Sequence, residues 1–496
     1  MRLSQSNPET QQTPLIIEDA ILVQWFIDHY PEFKYLNFNL NGVEPPQLIH
    51  LKKCIDKLEP NEKLHLQKKV LLVLWKNLIG LAIVYLKLND KREKYNDDED
   101  YGVEKLSDFF RTFSEFESVF YGADQYYRDH VTHMFKVYLL GEYLLRNRNI
   151  YGKIQIGTKY LDETFKIDDS EKEAMWCIIS LTHDVGYGLG MIKKINKKTR
   201  TMLEQIGITN IQDISFSFTR QPLYDFILKF VSSDLTEITE KLKGGETIEK
   251  KYSKKQIEDG KTRQFVNHVQ SKYFLKFSGS FERFGHGIFS CILLMRNLVY
   301  FLESDYSFDL KRPLDQRDAH HFLIRQTILR SIASHDCDDI YYLKVLEFPF
   351  LLTLIDEMQD WERPGLSDLF EKKPKKKLMV NAIDEKNVDF QIEFTKDERA
   401  TPLKPDEAKE ISFNILVEFE NKCKKIRKIL RSAVDGEARD FTLRFEIEDK
   451  MGESLIKYEI IHKYPNDIKL KANDEEMTWK KFLDYAKTRK ETLKTG

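Results

Sequence analysis

Adjacent histidine and aspartate close an apolar run at Thr182-His183-Asp184-Val185, and glycines follow at Gly186 and Gly188. Consecutive residues on a helix point about 100° apart, so the two cannot both be filler on one buried face. Both can reach a single point beside the helix end when a metal ion sits there, an imidazole and a carboxylate offered from one rigid platform. Further candidates stand in similar settings. His130 and His133 lie three apart, on one side of a helix whose apolar residues are Phe135, Val137, Leu140 and Leu144. His286 opens the run Gly287-Ile288-Phe289-Ser290-Cys291-Ile292-Leu293-Leu294-Met295, and His335 follows Ile332-Ala333-Ser334. Asp356 is embedded in Leu351-Leu352-Thr353-Leu354-Ile355, where a carboxylate is costly unless paired or bound to a metal.

In chain order the pattern reads His, His-Asp, His, His, Asp. It resembles the HD-domain metal-dependent phosphohydrolase superfamily, an all-helical fold, over Tyr126 to Pro364. The resemblance implies that His133, His183, Asp184 and Asp356 bind one metal ion. His286 and His335 then serve a second ion or contact phosphate, with Asp184 as the bridging carboxylate. His133 is preferred to His130 as first ligand because the aliphatic Val137 follows it by four residues; His130 is left as a substrate contact or a structural group. The implied reaction is hydrolysis of a phosphoester or phosphoanhydride by metal-activated water, with a nucleotide or cyclic nucleotide as the favoured substrate. One or two divalent transition ions among Mn, Fe, Zn, Ni and Co suit these ligands. Cations suited to the developing phosphoryl charge are Lys136, one turn after His133, Arg128, and Arg363, which is also a candidate substrate contact. Asp336 is expected to orient His335, and His320 with His321 to mark an exposed helix start. The doublet is followed by Gly186-Tyr187 where many members carry Gly-Lys. The Gly-Tyr-Pro signature of the cyclic-dinucleotide branch is absent from Cys337-Asp338-Asp339-Ile340-Tyr341-Tyr342. Two other functions stay open. One is a metal-dependent nuclease on single-stranded nucleic acid, which needs a basic groove with stacking aromatics. The other is a metal-containing regulatory or binding module without turnover.

Positioning these residues falls to a chain of 496 residues with net charge -2, long enough for two or three domains and without overall bias toward a polyanion. The expected fold is mainly α, the HD-domain helical fold, with a small carboxyl-terminal α+β domain. A helical amino-terminal region covers 1–105. The catalytic core covers 106–371, with an insertion near 191–280 whose charged centre, Glu237 to Lys261, is either a lid or the tip of a packed helical pair. The α+β domain covers 378–496, with hairpins around Asp384-Glu385-Lys386-Asn387 and Asp449-Lys450-Met451-Gly452-Glu453, a helix near 404–432 and a short helix near 479–488. The apolar segment Val70 to Leu86 approaches membrane-spanning length, but Lys76 at its centre costs roughly 3 kcal/mol for insertion, so a buried core helix is expected. Five scattered cysteines suggest neither a zinc knuckle nor a disulfide framework. Met1 to Pro14 lacks a secretory pattern. A cytoplasmic protein acting on a small phosphorylated substrate is therefore expected, with no membrane partner and nucleic acid not favoured. The basic run Glu371 to Lys377 reads as a solvated hinge, and the sequence leaves oligomeric state open.

Overall fold

The computed structural model describes residues 13–39, 44–88, 101–123, 128–208, 210, 212–213, 221–238, 263–303, 306, 308, 312–340, 343–359, 375–395, 405–429, 441–451, 455–463 and 467–495. Two compact units separate among them, one over 19–359 and one joining 13–18 to 375–495. The protein is mainly α-helical, with an α+β unit at the carboxyl-terminal end.

The helical unit contains α1 (Asp19–His29), α2 (Pro46–Ile55), α3 (Lys68–Leu88), α4 (Val103–Ala123), α5 (Val131–Asn147), α6 (Lys159–Phe165), α7 (Asp169–Thr182), α8 (Tyr187–Gly190), α9 (Ile192–Glu204), α10 (Gln221–Ser232), α11 (Ser271–Glu282), α12 (His286–Asn297), α13 (Val299–Leu302), α14 (Gln316–His335) and α15 (Phe348–Met358). Local sequence sets the starts of the central helices. Asp168 and Glu171 form a reciprocal capping box at α7. The Asp315 carboxylate accepts the Arg317 and Asp318 N–H groups at α14. The core forms where α5 and α3 pack on α7, and α14 packs on α7, α12 and α15. Gly141 lets α5 approach α7 closely: a Cβ there would lie 2.1 Å from the Trp176 ring.

The apolar segment from Val70 is α3. It lies in the one described stretch apolar and long enough to cross a membrane, and 67 % of that stretch's most apolar window is buried inside the unit. Its Trp75 indole donates to the Leu181 carbonyl at 2.7 Å, pinning the end of α7 just before the His-Asp doublet. An all-round apolar helix must be surrounded, and this accounts for one departure from expectation. Residues 19–88 form no separate amino-terminal domain; α1 and α3 pack onto α5 and α7 within one unit. A second departure concerns the stretch near 191–280. It holds α9 to α11 and two strands, β2 (Ser233–Glu237) and β3 (Gln264–Val269), that build a three-stranded antiparallel sheet with β4 (Leu314–Asp315). Arg330 of α14 clamps it, donating to the Val231 and Ser233 carbonyls at 2.8 Å each and meeting Asp234 at 3.1 Å. Most of the expected charged tip, residues 239–262, lies outside the described residues.

In the α+β unit a seven-stranded sheet runs in the order β1 (Leu15–Ile17), β5 (Lys375–Ile383), β6 (Asn387–Thr395), β7 (Thr442–Asp449), β8 (Ile456–Lys463), β9 (Asp467–Ala472), β10 (Glu475–Met477). Neighbours are antiparallel except β6 and β7, which are parallel and connected through α16 (Pro405–Ile429). Strand alternation sorts the faces. Phe445 stacks between Phe390 and Phe419 of α16, and Phe419 also meets Tyr458 and Phe482 of α17 (Trp479–Thr495). On the other face Arg444 pairs with Asp389, Glu446 and Glu459, and Lys457 with Glu446 and Glu448. Both expected hairpins are present. The expected all-helical amino terminus is corrected by β1, which pairs with β5.

Candidate metal centre

Five helix ends meet at one point. His133 stands in the first turn of α5, His183 caps the end of α7, His286 begins α12, His335 ends α14, and Asp356 lies in the last turn of α15. Asp184 sits between two groups of imidazoles. Its Oδ2 is 3.4 Å from His183 Nε2 and 3.7 Å from His133 Nε2. Its Oδ1 is 3.2 Å from His286 Nε2 and 3.4 Å from His335 Nε2. Asp356 Oδ1 closes the first group, 2.8 Å from His133 Nε2 and 3.8 Å from His183 Nε2. His133, His183 and Asp356 form one set whose ligand atoms lie within 4.8 Å of one another, and His183, Asp184 and His335 form another.

The outward ring nitrogens explain why the inward ones face this point. His183 Nδ1 is 2.8 Å from the Ser180 carbonyl and His335 Nδ1 is 2.6 Å from the Ile332 carbonyl. A carbonyl only accepts, so each Nδ1 carries a proton and, in the neutral ring, each Nε2 presents a lone pair inward. His133 Nδ1 bonds the Gln359 side-chain oxygen, and His286 Nδ1 lies 3.1 Å from Asp336 Oδ2. Partners of this kind fix tautomer and ring orientation in metal-ligating histidines.

Electrostatics separates the rings further. Burial pushes His183 down to about 4, which keeps it neutral near pH 7. Burial also acts to lower His286, but Asp336 and Asp184 outweigh it and raise the imidazole to about 9. Burial works against the Asp184 and Asp356 carboxylates, yet the surrounding imidazoles hold both below the usual range. A cation fits these groups on one further observation. His183 Nε2 is buried with no hydrogen-bond partner among the described residues, which costs about 1–3 kcal/mol if nothing satisfies it. It faces two carboxylates held ionised, and nitrogen and oxygen donors of this kind suit a divalent transition ion. A bound cation would also displace the proton that Asp184 favours on His286.

The remaining expected residues divide. His130 adjoins the centre, its ring stacked on Tyr187 at 3.8 Å between centroids, and Tyr187 stands 5.3 Å from the His286 ring. Lys136 is corrected: its buried ammonium pairs with Asp19 of α1 at 2.8 Å, so its charge is already neutralised there. Arg128 is half-buried in the segment entering α5, and Arg363 lies outside the described residues. Asp336 holds His286 rather than His335. His320 and His321 stand fourteen or more residues before His335 on α14, about 20 Å away along the axis. His321 is buried rather than exposed, and burial with nearby Arg325 pushes its imidazole down to about 3.

Gln359 and Ser290 escape the sequence reading. Gln359 falls three residues after Asp356, a spacing that could have flagged it. Ser290 donates to the His183 carbonyl at 2.6 Å and accepts the Gly186 N–H at 2.9 Å, locking the doublet's turn to α12. The approach is tight enough to require glycine, since a Cβ on Gly186 would lie 2.5 Å from the His286 carbonyl oxygen. No protein-family model, no curated protein and no solved structure matches this chain.

Proposed function

We propose that this protein is a metal-dependent phosphohydrolase of the HD-domain kind, cleaving a phosphoester or phosphoanhydride of a nucleotide. The observation that carries this reading is the convergence of His133, His183, Asp184, His286, His335 and Asp356, with all four Nδ1 atoms tied back and all four Nε2 atoms directed inward. His133, His183, Asp356 and Asp184 Oδ2 would hold one ion; Asp184 Oδ1, His286 and His335 would hold another. A bound divalent ion supplies Lewis acidity toward a phosphoryl oxygen and brings the pKa of its water toward neutrality. The chain does the rest. The Nδ1 anchors fix the ring nitrogens before substrate arrives, which limits reorganisation during reaction. Buried Leu181, Val185, Ile288, Ile332 and Ile355 line the surrounding helices and keep bulk water away. Asp336 holds a proton on His286 Nδ1 and so keeps that ring's Nε2 turned to Asp184.

The test is elemental analysis of purified full-length protein, then a hydrolysis screen over nucleotides, cyclic nucleotides and oligonucleotides beside the His183→Ala/Asp184→Ala double variant. The expected result is stoichiometric transition metal and turnover that the double variant loses. Bound metal with no turnover on any phosphorylated compound would leave a metal-containing regulatory module instead.

A further inference from the structure

We propose that α9 is a track for the phosphate backbone of single-stranded nucleic acid beside the metal centre, so that the nucleotide attacked is one carried in a strand. The cleavage part of this inference rests on the phosphohydrolase reading; the binding part does not. The helix begins eight residues after Asp184. It carries Lys193, Lys194, Lys197, Lys198 and Arg200, all exposed, and its half-buried positions are Ile192, Ile195, Asn196 and Leu203. The apolar stripe seats the helix on α4 and α8, and Lys193, Lys197 and Lys198 are exposed. The only acid in α9 is Glu204 at its end, and Arg200 is already paired with Asp213 at 2.6 Å.

Position turns this charge into a path toward the site. Lys193 Nζ lies 4.4 Å from the centroid of the Phe284 ring, and Phe284 is two residues before His286. Phe284 is held at φ +62°, a conformation that bulky residues seldom adopt. Aromatics accompany the cations. Tyr187 of α8 is half-buried against His130. Phe116 of α4 is 46 % exposed and meets Phe120, whose ring packs beside Gly188 of α8. Exposed cations with aromatic faces are the chemistry of single-strand recognition: the cations follow the backbone and the rings stack bases. Lys193 and Lys197 recur on one face about one turn apart, with Lys198 beside them, and Lys193 is the one placed beside Phe284. A free nucleotide engages only the end nearest the metal ligands, whereas a strand engages all three lysines.

The experiment uses the full-length His183→Ala variant, which cannot consume the probe, and a fluorescein-labelled single strand of about a dozen nucleotides, within the site size such proteins cover. Fluorescence anisotropy is expected to report binding that weakens steeply with salt. Adding Lys193→Glu, Lys197→Glu and Lys198→Glu should weaken it at least tenfold and lower the salt slope by about 2, at roughly 0.7 per phosphate contact. The corresponding three arginine substitutions should keep affinity, and circular dichroism should show the folded helical content of each variant unchanged. No binding at low salt, or binding that the three glutamates leave intact, overturns the proposal. Capture by vesicles of anionic phospholipid without binding of the strand overturns it too, in favour of a membrane-facing surface. Failures separate cleanly. Metal-loaded wild-type protein that binds the strand through α9 yet cleaves nothing defeats the hydrolase reading and the cleavage part with it, and leaves the binding part standing. Turnover of nucleotides with strand binding indifferent to α9 defeats this inference alone.

Discussion

Glu142 of α5 and His183 at the end of α7 are both sealed from solvent, yet their polar atoms meet different surroundings. Around Glu142 the protein supplies a donor to each carboxylate oxygen. Tyr35 donates to Oε1 at 3.4 Å and Tyr151 to Oε2 at 3.0 Å, with Arg146 at 3.5 Å. Tyr35 also bonds Tyr138 at 2.8 Å, and Arg146 continues to Glu173 at 2.6 Å. Around His183 two carboxylates stay ionised, and one ring nitrogen has no hydrogen-bond partner among the described residues. Equal burial therefore does not mean equal purpose. A carboxylate whose two oxygens both meet the protein's own donors ties helices together, whereas a buried ring nitrogen without a hydrogen-bond partner beside two carboxylates belongs to a group that could hold a metal ion.

Removing a carboxylate from each cluster gives the sharpest contrast. Asp184→Ala deletes the group shared by both sets of imidazoles. Turnover should fall to background and the metal content, read by elemental analysis, should drop, while the folded helical signal survives. Metal retained at full stoichiometry would remove Asp184 from the centre.

Glu142→Ala should do the reverse, with a loss of about 1–3 kcal/mol in unfolding free energy because the buried Tyr151 hydroxyl loses its acceptor while Arg146 keeps Glu173. Metal per folded molecule should be unchanged. The same carboxyl predicts a pH dependence. Burial raises Glu142 to about 8 from an ordinary value of 4.5, with Arg146 acting to lower it. The folded state thus holds its proton to higher pH than the unfolded chain does. That contribution is complete below about 4.5 and is lost as pH rises through about 8. Urea midpoints should fall across this window in the wild type and flatten in Glu142→Gln. An equally steep fall in the glutamine variant would assign the dependence to another group.

Gln359→Leu acts one bond further from the ion. It leaves every expected ligand in place and removes the acceptor on His133 Nδ1. Loss of such a partner costs about 10–100-fold in metal affinity or activity, readable by competition with a chelator. Affinity equal to wild type would make the contact incidental.

The convergence of these six residues was legible because each stands at or near the end of an apolar helix, and a polar residue in such a place stands out. Lys136 shows where periodicity stops. One turn from His133 it should share that ligand's side of the helix, but α5 is buried nearly all round. A helix covered on every side offers several neighbours to a long side chain, and Lys136 reaches α1. Gln359 and Ser290 carry ordinary polar groups whose roles depend on which helix lies opposite, and spacing along one helix cannot encode that. In the α+β unit both hairpins followed from alternation around turn residues. β1 did not, because three residues carry too little pattern and their partner lies in β5, more than 350 residues away.

Ser290→Ala should have the smallest effect and is the most discriminating about how the doublet is held. The hydroxyl is fully buried, donates to the His183 carbonyl and accepts from Gly186 N–H. Alanine fits the same space, so the change removes hydrogen bonds without opening a sizeable cavity. Unfolding free energy should drop by about 1–3 kcal/mol, the usual cost of a buried polar group left unpaired. Because the two bonds span the turn bearing His183 and Asp184, metal affinity should decline as well, by less than in Gln359→Leu, since all four Nδ1 anchors remain. A stability loss with unaltered metal affinity would show that α7 and Trp75 alone hold the doublet in place, and that the latch to α12 serves packing only.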